Sequence, residues 1–171
     1  MLIPFTTPDR DAPVLSDIIE TPVGKLLLTA DGSSLTGLHF LNDGDPRPAD
    51  LAPSAEVFTE VKAQLAAYFA GELKEFDLRL APSGTGFQLA VWGELARIPY
   101  GATTSYGDIA KALGKSPVAS RAVGRANGSN PISIIVPCHR VIGADGGLTG
   151  YGGGLDRKLT LLQIEGSAGL W

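Results

Sequence analysis

Residues 105–127, SYGDIAKALGKSPVASRAVGRAN, decide the architecture of the second half of the chain. Apolar and small side chains in residues 105–113 predict a short helix that Gly114 ends. Ser116 followed by Pro117 is typical of an N-cap and a first helical position, and predicts a second helix to the end of the stretch. Two short helices with a glycine-containing turn match helix-turn-helix spacing, which other helical hairpins share.

The flanking segments extend this helical region. Upstream, an apolar stripe in residues 85–98 predicts a helix that Pro99 ends. Downstream, the continuous apolar and β-branched run 132–136, ISIIV, predicts a buried strand that Pro137 ends. We therefore expect a mostly helical C-terminal domain over residues 87–171.

The first half of the chain has the pattern of a small α/β domain. Short β-prone runs separated by turn residues predict a small antiparallel sheet; they lie at residues 18–19, 26–29 and 38–40. Apolar spacing in residues 55–69 predicts a helix that Gly71 ends. The stretch 80–86, LAPSGTG, is the predicted linker, which gives an N-terminal domain at residues 1–82.

Composition excludes several classes of protein. Of 171 residues 44% are hydrophobic, enough for a buried core, which argues against disorder. No apolar run approaches the roughly 18 residues of a membrane helix, and no basic segment followed by a long apolar stretch opens the chain. The single cysteine excludes internal disulfides and a multi-cysteine zinc site. We expect a cytoplasmic protein with no membrane partner, no metal and no cofactor.

Charge is distributed unevenly along the chain. Residues 1–86 carry a net charge of −7 and residues 87–171 a net charge of +3. The segment from Arg97 to Arg140 contains six basic residues and one acidic residue, Asp108. Such a segment attracts a polyanion even in a chain whose net charge is −4. A solvated basic face is an equally good explanation of the charge alone.

Cys138 is the candidate for chemistry because of its neighbours. It directly follows Pro137 and precedes His139 and Arg140. A lone cysteine is commonly a small buried hydrophobe, whereas a nucleophilic cysteine needs a base or a cation to hold it as a thiolate. The adjacent imidazole favours the nucleophile, and we expect its sulfur to be ionised.

A histidine base needs a third group that orients it. Glu165, which follows the amphipathic run 159–164, is the candidate, although an ordinary helix-end carboxylate would have the same spacing. The other histidine, His39, lies among apolar residues and is expected to be an ordinary strand residue. A metal site built by the protein is therefore poorly supported.

Several motifs together resemble those of a known family. They are IIVPCHRVIG (134–143), LTGYGGG (148–154), LLQIEG (161–166), IPYGATTSYGDIA (98–110) and SRAVGRANGSNP (120–131). At this spacing they resemble the O6-alkylguanine-DNA alkyltransferases, also called methylated-DNA–protein-cysteine methyltransferases. The resemblance implies a ribonuclease-H-like α/β N-terminal domain, with a small antiparallel sheet plus a helix, and a mostly helical C-terminal domain containing a helix-turn-helix.

The resemblance also implies a reaction. The family repairs double-stranded DNA by flipping out an O6-alkylguanine, or an O4-methylthymine, from the minor-groove side and moving the alkyl group to a cysteine, once per molecule. On this basis Cys138 is the acceptor, His139 takes its proton through a water, and Glu165 orients the histidine. Asn130 matches a hinge asparagine that ties the recognition helix to the active-site turn. Arg140 is expected to form a structural ion pair.

Further positions carry over one at a time. Tyr106 matches a tyrosine that helps to rotate the flipped nucleotide and protonates the leaving guanine, and Arg121 matches a finger that fills the vacated place in the stack. Small residues that suit a helix in the minor groove are Ala119, Ala122 and Gly124. Positions that match the substrate pocket are Ser133, Val141, Tyr151 and Gly152. The resemblance implies a monomer when free and leaves cooperative binding on DNA open.

Three other functions fit parts of the sequence. A non-enzymatic protein that flags lesions would lack the reactive cysteine, which is present here as Cys138. A winged-helix regulator would account for the helix pair but not for the Cys-His-Arg cluster. A cysteine hydrolase would turn over repeatedly, whereas self-alkylation stops after one reaction.

Overall fold

The computed structural model describes residues 4–167, which form two compact units. The N-terminal unit comprises residues 4–83 together with 131–133, and the C-terminal unit comprises residues 84–130 and 134–167. The division near residue 83 lies inside the predicted linker, although Ala81 is fully buried and its N–H donates to the Leu35 carbonyl. The domain limits 1–82 and 87–171 stay a prediction.

The N-terminal unit contains the predicted sheet and helix. Three strands form an antiparallel sheet in chain order: β1 (Leu15–Thr21), β2 (Gly24–Ala30) and β3 (Leu35–Leu41). Helix α1 (Val57–Phe69) packs against this sheet, and Gly71 follows it at φ +76°. Alternate positions of the strands and one face of the helix supply the core residues Leu26, Leu28, Leu38, Phe58, Leu65 and Tyr68. The prediction of a small α/β unit is confirmed.

A buried carboxylate organises the turn between β2 and β3. Asp31 Oδ1 accepts hydrogen bonds from the amides of three successive residues, Gly32, Ser33 and Ser34. Its other oxygen accepts from the amide of Asp9 at 2.9 Å. Asp31 is buried, so these four donors replace the water that the charge loses.

The predicted strand at residues 132–136 is wrong. Only Ile132 pairs, through one bridge to Leu38 of β3 within the N-terminal unit. Ile134 adopts φ +72°, a left-handed backbone conformation that interrupts any extended run. Four of its five side chains are apolar and buried where the chain passes from one unit to the other, and burial alone does not make a segment extended.

The C-terminal unit is built mainly from helices. They are α2 (Gly86–Leu95), α3 (Tyr106–Ala112), α4 (Ser120–Gly128) and α5 (Leu155–Ile164). A two-residue strand, β4 (Thr104–Ser105), pairs in parallel with β5 (Val141–Ile142) and was too short to predict. Helix α3 packs against α4, and Trp92 Nε1 donates to the Ala126 carbonyl at 2.8 Å.

Helix ends differ locally from the sequence prediction. Helix α2 begins after Thr85, which forms a capping box with Gln88, but it ends three residues before the predicted Ile98. Ser105 caps α3 through its side chain, whereas Ser116 makes no side-chain cap. The chain after Ser116 first forms a 3₁₀ turn at Pro117–Ala119 before α4 begins. Within residues 4–167, no helix is both long and apolar enough to cross a membrane.

Asp31→Ala tests the turn between β2 and β3. It leaves the amide of Ser34, a residue only 2% exposed, without its acceptor, and we expect a loss of about 2 kcal/mol in the free energy of unfolding. Urea denaturation measures it. Asp45→Ala, which removes one acceptor from the exposed turn at Asn42, is the matched control with an expected loss of about 0.5 kcal/mol. Equal losses would contradict the role of Asp31.

Candidate active site

The residues of the predicted cluster lie on one tight turn of the C-terminal unit. Cys138–Arg140 form a 3₁₀ turn between Pro137 and β5, and all three residues are buried. Asn130, two residues after α4, donates its side-chain amide to the Val136 carbonyl at 2.7 Å. This bond fastens the segment that enters the turn to the end of α4.

Glu165 joins the C-terminal end of α5 to the same turn. Its carboxylate accepts two hydrogen bonds from Arg140, Nε to Oε1 at 2.8 Å and Nη2 to Oε2 at 2.9 Å. His139 Nε2 lies 2.8 Å from Oε2. Arg140 also donates through Nη1 to the Ile98 carbonyl at 2.6 Å. The ion pair predicted for Arg140 is thus present and bidentate, the strongest geometry for a guanidinium and a carboxylate.

The protonation states follow from burial and from these bonds. Burial alone would raise the pKa of Glu165, but the hydrogen bonds and charges of His139 and Arg140 outweigh it and lower that pKa to about 2. Burial lowers the pKa of His139, against the opposing effect of Glu165. At neutral pH the pair is therefore a carboxylate and a neutral imidazole.

A neutral His139 that donates Nε2–H to Glu165 carries its lone pair on Nδ1. That nitrogen is buried and has no hydrogen-bond partner within residues 4–167. A carboxylate that fixes the tautomer of an imidazole in this way leaves the other nitrogen as a base. The geometry therefore supplies an oriented proton acceptor next to Cys138 in the chain.

The ionisation expected for Cys138 is corrected by the structure. Burial raises the pKa of the thiol above its ordinary value, and the residue is only 4% exposed. Hydrogen bonds with the side chains of Asn130 and Tyr151 and the charge of Lys158 oppose this effect without overcoming it. The resting sulfur is a thiol, because desolvation destabilises a thiolate by more free energy than these neighbours contribute to its stabilisation.

Lys158 is a site residue that sequence reasoning missed. It lies in α5 with its side chain fully buried, and Nζ donates to the Val141 carbonyl at 2.6 Å. Nζ also donates to the carbonyl and the hydroxyl of Thr149 at 3.3 and 3.4 Å. Lysine on a short amphipathic helix is normally exposed, so nothing in the sequence distinguishes this one.

The predicted DNA-binding positions lie on α3 and around α4. Tyr106 is the first residue of α3, and its hydroxyl lies 2.7 Å from Thr149 Oγ1. Arg121, in the first turn of α4, is exposed. The three small residues are Ala119, Ala122 and Gly124, all half-buried. A Cβ on Gly124 would sit 3.8 Å from the Tyr106 ring, so this position lies beside that tyrosine.

The predicted pocket positions are distributed over both units. Val141 is fully buried in β5, Tyr151 is half-buried in the loop before α5 and hydrogen-bonds with Cys138, and Gly152 is exposed beside it. Ser133 belongs to the N-terminal unit, where its N–H donates to the Leu38 carbonyl. The C-terminal unit alone therefore brings together Cys138 with residues predicted as its partners: His139, Glu165, Asn130, Tyr151 and Val141.

Comparison with known proteins agrees with this geometry. Residues 86–167 match the family described as "6-O-methylguanine DNA methyltransferase, DNA binding domain", and residues 14–82 match its "ribonuclease-like domain". The chain belongs to the 6-O-methylguanine DNA methyltransferase family. As a member it is a methylated-DNA–protein-cysteine methyltransferase, a DNA-repair enzyme whose second domain binds DNA.

The similarity of this methyltransferase to individual relatives extends over most of the length of both chains. A Methanosarcina acetivorans methylated-DNA–protein-cysteine methyltransferase is 55% identical over 88% of this chain and 97% of its own. The crystal structure of the Mycobacterium tuberculosis O6-methylguanine methyltransferase superposes with a TM-score of 0.82, at 52% identity over 90% of this chain and 93% of that one. The crystal structure of the M. tuberculosis OGT in complex with DNA superposes with a TM-score of 0.81, at 54% identity over 87% of this chain and 91% of that one. The predicted fold class and family are confirmed.

Glu165→Gln tests the carboxylate of this methyltransferase. It leaves the buried Arg140 without a counter-charge, and we expect a loss of about 3 kcal/mol in the free energy of unfolding at pH 7. Glu20→Gln, which alters an ion pair whose carboxylate side chain is 81% exposed, is the control and should cost under about 1 kcal/mol.

The same variant predicts a pH dependence. The pKa of Glu165 is lower in the folded than in the unfolded state, so its stabilisation is complete above the ordinary value of 4.5 and is lost as the pH falls toward about 2. The difference in unfolding free energy between wild type and Glu165→Gln should shrink across this range. A constant difference would contradict the assignment.

Proposed function

We propose that this methyltransferase removes the alkyl group from O6-alkylguanine, and from O4-methylthymine, in double-stranded DNA by transferring it to Cys138, once per molecule. The observation that carries the proposal is the buried set formed by Cys138, a neutral His139 with a partnerless Nδ1, and Glu165. A buried thiol beside an oriented neutral base is suited to a nucleophile that is activated only when substrate is present.

Activation begins with proton transfer. The proton of the Cys138 thiol passes to Nδ1 of His139, directly or through a water, and the imidazolium that forms is stabilised by the Glu165 carboxylate 2.8 Å from Nε2. Hydrogen bonds with Asn130 and Tyr151 and the positive charge of Lys158 favour the thiolate as it appears. Desolvated and newly formed, this thiolate is a strong nucleophile.

Alkyl transfer is a displacement at the carbon attached to O6. The sulfur forms a bond to that carbon while the carbon–oxygen bond breaks, its electron pair stays with guanine, and the base gains a proton from the Tyr106 hydroxyl. The product is a thioether and a restored guanine. A thioether offers water no carbonyl to attack and a poor leaving group, so Cys138 is not regenerated and each molecule reacts once.

Burial of the sulfur makes base flipping necessary. Cys138 is only 4% exposed, and a carbon on a stacked base cannot come within bonding distance of it. We assign to the exposed Arg121 the place in the stack that the flipped base vacates, which offsets part of the unstacking free energy. The pair α3–α4 then acts as a helix-turn-helix whose small residues approach the minor groove.

The positive segment between residues 97 and 140 supports DNA as the partner. Its local charge of +5 is opposite to that of the phosphate backbone, and the M. tuberculosis OGT, 54% identical, has been crystallised with DNA. A single cysteine that must stay reduced fits a cytoplasmic protein. We propose that the free protein is a monomer.

Transfer of label tests the function directly. Protein is mixed with an excess of duplex DNA carrying O6-[³H-methyl]guanine, and label on the protein is counted. We expect a plateau of one methyl group per molecule with wild type and none with Cys138→Ala, whose small side chain preserves the fold as judged by thermal melting. Continued release of methanol would indicate a cysteine hydrolase, and binding without transfer would indicate a lesion-recognition protein; either result overturns the proposal.

Arg121→Ala tests the proposed finger. We expect the rate of methyl transfer at limiting protein to fall about 10-fold or more, since a cost of a few kcal/mol for unstacking is no longer offset. Arg125→Ala is the matched control, because Arg125 is an exposed arginine one turn further along α4. Both variants lose one charge and should show similar weakening of binding to undamaged DNA. An equal transfer rate in the two variants would refute the assignment.

A further inference from the structure

The segment 98–101, IPYG, contacts Arg140 and the end of the helix that carries Glu165. It follows α2 and belongs to the C-terminal unit. The carbonyl of Ile98 accepts a hydrogen bond from Arg140 Nη1 at 2.6 Å, and the centroid of the Tyr100 ring lies 5.8 Å from Arg140 Cζ. The proton transfer described above gives no role to this segment.

The hydroxyl of Tyr100 holds the end of α5. It donates to the carbonyl of Ile164, the last residue of that helix, at 3.1 Å. The last carbonyls of a helix have no partner inside the helix, so this bond satisfies one of them. A Cβ on Gly101, which adopts φ +81°, would sit 3.3 Å from the Glu165 carbonyl oxygen. The segment 98–101 therefore packs directly against the residue that closes α5.

The ring of Tyr100 covers one side of the Arg140 guanidinium. A cation within about 6 Å of an aromatic centroid is attracted by the π electrons of the ring. The edge of the guanidinium donates to three acceptors, which are both oxygens of Glu165 and the carbonyl of Ile98. The acceptors hold Arg140 along its edge, and the ring holds it from one face.

The position of this ion pair also decides the hydrogen bond of the base. Glu165 Oε2 is shared, since it lies 2.9 Å from Arg140 Nη2 and 2.8 Å from His139 Nε2. A displacement of Arg140 or of the end of α5 therefore changes the bond to His139 as well. That bond fixes the tautomer in which Nδ1 accepts a proton, so the base depends on how the ion pair is held.

We propose that Tyr100 is a positioning residue for the removal of the Cys138 proton. Its ring holds Arg140 and its hydroxyl holds the end of α5, so the Glu165 carboxylate stays in place to accept from His139. Tyr100 acts through the ion pair and takes no part in the proton transfer itself. The inference rests on the proposed function.

Two substitutions separate the hydroxyl from the ring. Tyr100→Phe keeps the ring over Arg140 and removes the bond to Ile164, whereas Tyr100→Leu removes both. We expect methyl transfer from O6-methylguanine in duplex DNA to slow about fivefold in Tyr100→Phe, the effect of one neutral hydrogen bond, and about 10-fold or more in Tyr100→Leu. Phe87→Leu is the matched control, because the half-buried Phe87 ring also has a cation, Lys115 Nζ, 5.7 Å from its centroid. Its transfer rate should stay within about twofold of wild type.

The pH profile of Cys138 alkylation by iodoacetamide is the second readout. Iodoacetamide reacts with the thiolate without DNA, and Cys138 is the only cysteine of the chain. When the base is poorly held, less thiolate forms at a given pH, and an about tenfold lower fraction moves the profile up by about one pH unit. We expect this shift in Tyr100→Leu, a smaller one in Tyr100→Phe and none in Phe87→Leu. The titratable neighbours of the reacting pair are unchanged in all three variants: Arg140, Tyr151, Lys158 and Glu165.

Nitrogen NMR reports the tautomer of His139 directly. The chain has two histidines, so protein labelled with ¹⁵N-histidine gives signals from His139 and His39 only. His39 is exposed in β3 of the N-terminal unit and serves as an internal reference. In wild type we expect the His139 proton on Nε2 alone. In Tyr100→Leu we expect signals from both tautomers, because the Glu165 carboxylate no longer selects one of them.

Each outcome supports or overturns the role of Tyr100. Slower reaction with both DNA and iodoacetamide, together with the higher pH profile and mixed tautomers, supports it. Unchanged rates in Tyr100→Leu overturn it, and so does slowing with DNA alone, which would place the residue in lesion binding. Slowing with an unmoved pH profile and a single tautomer also overturns it, because the role would then be purely structural.

The proposed function is tested separately by the wild type. Wild-type protein that reacts with iodoacetamide but transfers no methyl group from DNA overturns the proposed function, while the pH profile and the tautomer still test Tyr100. Thermal melting confirms that each variant is folded. If Tyr100→Leu does not fold, Tyr100→Phe takes its place in all of these measurements, with the smaller effects expected of it.

Discussion

The site depends on one buried carboxylate. Glu165 closes α5 and receives hydrogen bonds from two consecutive residues of the cysteine turn, His139 and Arg140. Without these donors the desolvation free energy of a buried carboxylate would be too large for a stable fold. With them, Glu165 fixes the turn, the tautomer of the imidazole and the end of the helix together. The same hydrogen bonds of Glu165 therefore hold the turn in place and orient the imidazole. Any change that separates α5 from the turn removes both effects.

The charges around the sulfur suit a nucleophile that stays inert until substrate arrives. The resting site holds one carboxylate, Glu165, and two buried cations, Arg140 and Lys158, around a thiol and a neutral imidazole. Desolvation keeps the thiol protonated, while the excess of positive charge favours the thiolate once a base removes its proton. For the single reaction per molecule proposed above, this arrangement is an advantage, because a permanently ionised cysteine would be consumed by other electrophiles.

Much of the fold was predictable from local patterns, and the failures have one cause. The spacing of apolar residues and the positions of turn residues predict strands β1 to β3 and helices α1, α3 and α4. The reason is that the hydrophobic face of each of these elements repeats along the chain. The run 132–136 shows no such face: its four apolar side chains are all buried, and the left-handed Ile134 bends it. Apolar residues indicate that a segment is buried. Its backbone conformation is set by the elements that the segment connects.

The sequence by itself indicated the proposed reacting group and its partners, since Cys138, His139, Arg140 and Glu165 stand in motifs whose residue types are those of a nucleophile, a base and an ion pair. Only the tertiary structure decided the protonation states, because these depend on desolvation and on which atoms face one another. It alone revealed Lys158 and Thr149, which are ordinary residues in the sequence. Three segments far apart along the chain must fold together before a buried ammonium, a hydroxyl and a phenol become neighbours.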